Sequence, residues 1–295
     1  MQSTEALRRK IKNAEDLLSV VKTMKSLAAV NIRHVELAVE ALSEYSRTVE
    51  LGLQIALKAA EARVDSNAQV VGSPLGVIVF GSDQGLCGQF NERIAEHTLS
   101  TLRQIQPEDA PYLIVVGART AGLLQDAGLH PARQLSTPGG LSGVTRLVQD
   151  LLLILEPARR HEELERVLVL HNQPLSSATY QEQTVQLLPV DLAWLRRLQA
   201  APWESRSLPT HSMAWQPLFE GLIRQQMFVV CHRAAAESLA AEEAARLASM
   251  QNAERNIEER LAELVQQYHH QRQNQITAEL LDIVAGFEAV SETHP

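Results

Sequence analysis

From Leu7 onward the chain repeats apolar side chains at steps that alternate mostly between three and four: Leu7, Ile11, Ala14, Leu18, Val21, Met24, Ala28, Ile32, Val35, Val39, Leu42, Tyr45, Val49, Leu53 and Ala56. That spacing draws a narrow stripe down a helix, as in a coiled-coil seam. No proline precedes Pro74 and the first glycine is Gly52, so nothing breaks the pattern. Ser3 or Thr4 can cap its start. About 55 residues at a 1.5 Å rise make a rod about 80 Å long. Compact domains of this size rarely hold such a helix, so the stripe needs a second stripe to cover it.

The C-terminal stretch supplies one. Leu218, Leu222, Leu239, Ile257, Leu261, Leu264, Tyr268, Leu280, Ile283, Phe287 and Val290 mark its apolar side, and only Gly221 and Gly286 interrupt the run between Pro217 and Pro295. Between Leu239 and Ile257 the seam is weak and rich in alanine, whose small side chain lets helices approach closely. Helix from Pro217 to Val290 would span about 110 Å. Its excess over the first helix predicts an end that is free or differently covered.

The middle, from Ser73 to Thr210, carries the prolines and glycines and changes period. Strand-like runs stand at Leu75–Phe80, Tyr112–Gly117, Arg166–His171 and Thr184–Val190, with helical periodicity at Gln89–Ile105, Thr120–Ala127 and Val144–Leu155. Alternating strand and helix predict a mostly parallel sheet with helices on its faces. Gln199–Ser212 reads as the boundary back to helix. The expected fold is α/β: a long antiparallel coiled coil of the terminal helices (1–60 and 211–291) with a Rossmann-like α/β domain (73–210) inserted between them.

Composition adds limits. The 295 residues are 45% apolar but only 4% aromatic, so a large aromatic core is not expected. A net charge of −8 argues against general nucleic-acid affinity. Cys87 and Cys231 lie far apart and build neither a disulfide framework nor a metal cluster; a reducing compartment is expected. No apolar run approaches the length that crosses a bilayer, and the N-terminus lacks an apolar signal segment. Membrane association, if any, is expected through a partner.

Motifs that carry catalytic chemistry are scarce in the chain. The first strand leads into GSDQGLCGQFN, whose Gly81, Gly85 and Gly88 do not match the dinucleotide or P-loop spacings. A glycine-rich turn before a helix can bind an anion; the plainer reading is a tight turn capped by Asn91 or Asp83. HEELE at His161 has Glu165 where a zinc-protease helix needs histidine. His269 and His270 are adjacent on a helix and cannot chelate one ion together. Cys87 has no basic partner in sequence and reads as a small buried side chain. No catalytic, cofactor-binding or metal residue is assigned. The first helix is locally basic (Arg8, Arg9, Lys10, Lys12, Lys22, Lys25, Arg33), and the last turns are acidic (Glu279, Asp282, Glu288, Glu292).

Four blocks, in order along the chain, carry a family resemblance. Ser82–Asn91, SDQGLCGQFN, resembles the SD-x-GLCG-x-x-N signature of F-type ATP synthase gamma subunits, contributed here by Ser82, Asp83, Gly85, Leu86, Cys87, Gly88 and Asn91. IKNAEDLLSVVKTMKSLAA is similar to the family's I-x-x-x-x-x-T-x-x-I-T-x-A-M-x-x-V-A-A-x-K helix. ESLAAEEAARLASMQNAERN, Glu237–Asn256, is similar to E-x-x-A-S-E-x-A-A-R-M-x-A-M-x-x-A-x-x-N, and YHHQRQNQITAELLDIVAGFEAV resembles Y-N-x-x-R-Q-x-x-I-T-x-E-x-x-E-I-V-x-G-A-x-A. From Pro107 to Ala214 the likeness is one of layout more than of motif.

The resemblance implies a non-catalytic rotor shaft without cofactors. A ring of alpha and beta subunits surrounds the paired terminal helices. The α/β domain sits with the epsilon subunit on the membrane c-ring, so that ion flow and ATP synthesis or hydrolysis are coupled by rotation. It implies a peripheral complex on the cytoplasmic face of a bacterial inner membrane. Met24 and Lys25 align with the segment that meets acidic lever loops of the catalytic subunits, and Arg272, Gln273, Thr277 and Glu279 align with other ring contacts. The sequence departs from the pattern at Asn31 (usually lysine), Asn13–Leu18, Gln84 (usually arginine or lysine), Ala285 and Phe287. These departures suggest a divergent branch, ion pumping by ATP hydrolysis, with protons or sodium, being one direction open to it. The chloroplast-type insertion with its cysteine pair is absent. Two other readings stay open: a Rossmann-like small-molecule enzyme with a helical dimerisation arm, and a plain scaffold coiled coil.

Overall fold

The computed structural model describes residues 4–59, 74–176, 179–203, 206–207, 209 and 211–291. The chain divides into two compact units, one of Met1–Leu27 with Ser249–Pro295, the other of Ala28–Ala248.

Helix α1 runs from Thr4 to Ala59 without a break; the cap expected at Ser3 lies outside the described residues, and Thr4 is already helical. Its buried positions Leu7, Val21, Ala28, Val35, Leu42, Val49 and Ala56 recur at multiples of seven. The complementary seam positions fall four residues after each seven: Ile11, Leu18, Lys25, Ile32, Val39, Ser46 and Leu53. The seam therefore passes through Lys25 and Ser46, and not through Met24 and Tyr45 as the apolar letters suggest. Ser46 is buried, whereas Tyr45 is 41% exposed and donates its hydroxyl to Gln225 Oε1 at 2.6 Å. The 3.5-residue period of a coiled coil decides which residue faces inward, whatever its polarity.

Helix α6 spans Trp215–Ser291. Pro217 sits in its first turn, where a missing N–H removes no intrahelical bond. In the first unit the ends of α1 and α6 pair antiparallel: Thr4 Oγ1 donates to Gln275 Oε1 at 3.3 Å and Lys25 Nζ to Glu254 Oε2 at 2.5 Å. Leu7, Val21, Met250 and Leu264 are buried there.

The second unit is built on a five-stranded sheet: β1 (Leu75–Phe80), β2 (Tyr112–Val116), β3 (Arg133–Leu135), β4 (Arg166–Ser176) and β5 (Thr179–Leu188), in the order β3-β2-β1-β4-β5. β1 is parallel to β2 and β4, β2 to β3, while β5 runs antiparallel to β4. β1 is buried at all six positions, as a central parallel strand covered on both faces must be. Alternate strand residues feed two cores. Val77, Val79, Leu113, Val115 and Leu170 pack under α2 (Phe90–Ile105) and α3 (Ala118–Asp126). Ile78, Phe80, Ile114, Val116 and Val169 pack under α4 (Val144–His161), the middle of α6 and Val35 of α1. The terminal helices thus form part of one covering layer of the sheet.

Several expectations shift in detail. β3 carries too few patterned residues to stand out in the sequence, and a further helix, α5 (Leu192–Ala200), follows the sheet with Asp191 as its cap. α4 continues through Pro157 to His161, and HEELE leaves the helix there into a turn in which Glu163 has φ 50°.

Candidate functional site

The strand order reverses direction at β1, whose neighbours β2 and β4 continue the chain on opposite sides. In open α/β sheets ligands bind in the crevice beyond the strand ends at such a point. The motif-bearing loop Gly81–Gln89 lies there, directly after β1.

The loop is closed by its own side chains. Asn91 Oδ1 accepts from the Ser82 backbone N–H at 3.0 Å and from Thr120 Oγ1 at 2.7 Å, while Asn91 Nδ2 donates to Ser82 Oγ at 2.8 Å. Ser82 and Thr120 are fully buried and Asn91 nearly so. Asp83 turns the other way: its Oδ1 accepts from Ala118 N at 2.7 Å and its Oδ2 from Thr137 N at 2.9 Å. Neither residue caps α2, whose N-cap is Gln89 without a side-chain bond. Asp83 instead caps α3, a partner distant in sequence that no local motif announces. Gly81 is required because a Cβ there would lie 1.9 Å from Thr120 Oγ1. Leu86 takes a left-handed φ of 63° and presents an apolar side chain that is 61% exposed, between Gly85 and Gly88.

Helix α6 fills the crevice. Ser238 Oγ donates to Phe80 O at 3.4 Å, and Ala241 and Ala245 pack on Cys87 and Phe90. Small residues permit this approach. Beside them Glu242 and Glu243 are buried and share Arg246, at 2.5 and 2.8 Å. Glu237 reaches back to His171 Nε2 at 2.8 Å. A phosphate arriving at this loop would meet two carboxylates against one guanidinium. Burial pushes the Glu242 carboxyl above its usual range despite Arg246. Burial likewise pushes the Cys87 thiol up, against the hydrogen bond from Ser82, and raises the fully buried Cys231 to about 12. Thiolate chemistry is thereby suppressed at both. The glycine-rich loop is a docking seat for the chain's own helix.

Among the described residues no group of three or more His, Cys, Asp or Glu can hold a metal, and no helix is long and apolar enough to cross a membrane. His269 and His270 are both exposed.

The remaining sequence-derived residues lie in the first unit. Met24 is half-buried. Lys25 lies in the seam, and its ammonium holds Glu254 below the usual carboxylate range through their hydrogen bond. Arg272, Gln273, Thr277 and Glu279 are exposed on a later stretch of α6, apart from Lys25. Thr277 donates to the Gln273 carbonyl at 2.9 Å and Glu279 accepts from Gln275 at 3.1 Å.

The sequence stripe also placed Leu280 and Ile283 in the seam, but both face solvent. Ile276, Leu280, Leu281, Ile283 and Val284 are 48 to 69% exposed, and on α1 Leu17, Val20 and Leu27 are 53 to 60% exposed. The side chains of Phe287 and Val290 lie outside the described residues. A run of large exposed apolar side chains such as Ile276–Val284 is of the kind that marks interaction surfaces.

A family profile described as ATP synthase matches residues 3–290. The ATP synthase gamma chain of Nitrosomonas eutropha is 24% identical over 302 residues, covering 98% of this chain and 100% of that one. The gamma chain of Nautilia profundicola is likewise 24% identical, covering 99% of this chain and all of its own. Among solved structures, the rotor of the Euglena gracilis mitochondrial ATP synthase superposes with a TM-score of 0.62 at 16% identity, covering 92% of this chain and 98% of that chain.

Proposed function

The chain belongs to the gamma-chain family of ATP synthases, and from that premise we propose how it serves as the central rotor stalk. The paired ends of α1 and α6 are gripped by the ring of alpha and beta subunits. The α/β domain meets the epsilon subunit and the membrane c-ring, and rotation couples ion translocation to ATP synthesis or hydrolysis. The observation that carries this reading is the apolar end of α6: five large aliphatic side chains held in water on an otherwise regular helix. A surrounding sleeve of other subunits removes that surface from water. Arg272, Gln273, Thr277 and Glu279 supply polar contacts beside it whose partners change as the shaft turns. Functionally the chain has three parts, 1–60, 73–210 and 211–291: shaft helix, inserted domain and shaft helix.

The subunit itself is non-catalytic. The crevice that would hold a nucleotide is filled by α6 and lined by Glu242 and Glu243, which disfavours the Rossmann-enzyme reading. The complex lies peripherally on the cytoplasmic face of a bacterial inner membrane.

The test is copurification of the tagged chain with a large ATPase, with ATP-driven ion pumping as readout. Leu280→Glu with Ile283→Glu leaves the isolated chain's melting temperature within about 2 °C, because both side chains are already exposed, and abolishes assembly or coupling. Recovery of the chain alone, or full pumping by the double variant, refutes the proposal.

A further inference from the structure

Lys25 occupies a seam position of α1, between the buried Val21 and Ala28. Its side chain is 33% exposed, and Nζ lies 2.5 Å from Oε2 of Glu254, which is 15% exposed. Lys22 Nζ lies 3.1 Å from Glu258 Oε1 and 3.8 Å from Glu254 Oε1. Two ammonium groups from one helix thus meet two carboxylates from the other, and the charges cancel. The pairing of Lys25 with Glu254 and of Thr4 with Gln275 follows one antiparallel register along this unit.

Within this unit, apolar packing alone fixes that register weakly. A coiled coil can slide by a heptad, about 10 Å, and still set apolar residues against apolar residues. The charged pair does not survive such a slide. Moved by seven residues either way, Lys25 faces Leu247 or Leu261, and Glu254 faces Leu18 or Ile32. The ammonium and the carboxylate would then lose each other and lie directly against leucine or isoleucine, which is penalised. A single polar residue in a seam is known to specify register in this way, while adding little stability.

We infer that Lys25 and Glu254 form the register lock of the helix pair, so that Lys25 is a positioning residue acting within the shaft and not a contact to an acidic loop of a surrounding ring. Lys22, Lys25 and Glu254 all stand at positions that the family pattern leaves unspecified. The lock stands independently of the rotor reading; its consequence for coupling rests on that reading.

Register is read directly in the full chain. Thr4→Cys with Gln275→Cys reports the native pairing through a short bismaleimide, and Thr4→Cys with Tyr268→Cys or Asp282→Cys reports a slip of one heptad. Cys87 and Cys231 are buried and do not compete. In the parent background only the native pair crosslinks. Replacing the lock by Lys25→Met with Glu254→Leu keeps the helices paired, lowers native crosslinking about tenfold relative to the slipped reporters, and lets those appear. The exchange Lys25→Glu with Glu254→Lys restores native crosslinking. Exclusively native crosslinking in the Met/Leu variant, or failure of the exchange to restore it, overturns the lock.

In the assembled ATPase, Lys25→Glu alone loses ATP-driven pumping and the exchange recovers it. If Lys25 instead met an acidic ring loop, the exchange would set a glutamate against that loop and pumping would stay lost. Native crosslinking combined with lost pumping in the exchange variant therefore overturns the assignment of Lys25 to the shaft. Restored crosslinking with pumping untouched by Lys25→Glu overturns the coupling consequence and leaves the lock standing.

Discussion

Asn91→Ala tests whether the glycine-rich loop is a structural seat or an open site. Asn91 is 2% exposed, and its removal strands two fully buried groups, the Ser82 backbone N–H and the Thr120 hydroxyl, which lie 3.0 and 2.7 Å from its Oδ1. A buried polar group left without a partner costs about 1–3 kcal/mol, so the pair predicts a loss of about 2–6 kcal/mol. Water admitted to the vacated space recovers part of this, which places the expected loss near 3 kcal/mol. Thr120→Val removes one bond while keeping shape and should lose about 1 kcal/mol. The assay is urea unfolding followed by tryptophan fluorescence, since Trp194, Trp203 and Trp215 all lie in the same unit as the loop. With a slope of about 2 kcal/mol per molar, the midpoint for Asn91→Ala falls by about 1.5 M. A shift under about 0.2 M would mean that solvent already satisfies Ser82 and Thr120. The loop would then be an open pocket, and the argument that it seats α6 would fail.

Two further predictions concern buried ionisable groups. Cys87 and Cys231 are each 1% exposed or less, with thiols raised by burial, Cys231 to about 12. Iodoacetamide at pH 8 should modify neither until urea unfolds the chain, as read by mass spectrometry; native labelling of either would contradict the packing. Burial raises the Glu242 carboxyl above the usual carboxylate range, in spite of Arg246. The folded chain therefore binds this proton more tightly than the unfolded chain, and stability is lost as pH rises through the folded value. Glu242→Gln keeps an acceptor for Arg246 without the charge, so its stability relative to the parent should rise between pH 4.5 and 7. Urea midpoints at both values decide this, and a relative stability that falls with pH would refute it.

The long elements were legible because their signal is redundant. Fifteen periodic positions in α1 and the lack of breakers until Gly52 outweigh any single misplaced residue. Local phase was harder to read. Met24 and Tyr45 look like seam residues by polarity, yet the period gives those places to Lys25, whose partner Glu254 lies on another helix, and to the buried Ser46. The same bias put Leu280 and Ile283 in the seam, because an apolar letter does not say whether its cover comes from the same chain. β3, with three residues, is too short to show a period. Asp83 capping α3 across 35 residues of sequence is a tertiary contact that only the fold creates. The glycine loop read as a turn for the right chemical reason, but its helical occupant was not visible from the loop itself.

The pairing of Thr4 with Gln275, separated by 271 positions, bears on how the protein comes into being. Ribosomal synthesis delivers α1 first and the far end of α6 last, so the early helix waits with its greasy edge unmet while the whole intervening sheet is made. Contacts so remote along the chain close slowly and leave nascent intermediates prone to sticking. The inserted sheet can form during that wait, and Val35 anchors the early helix in the core beneath it once the middle of α6 is in place. Biogenesis of this chain is thus set up as a race between completion of its tail and capture of its head.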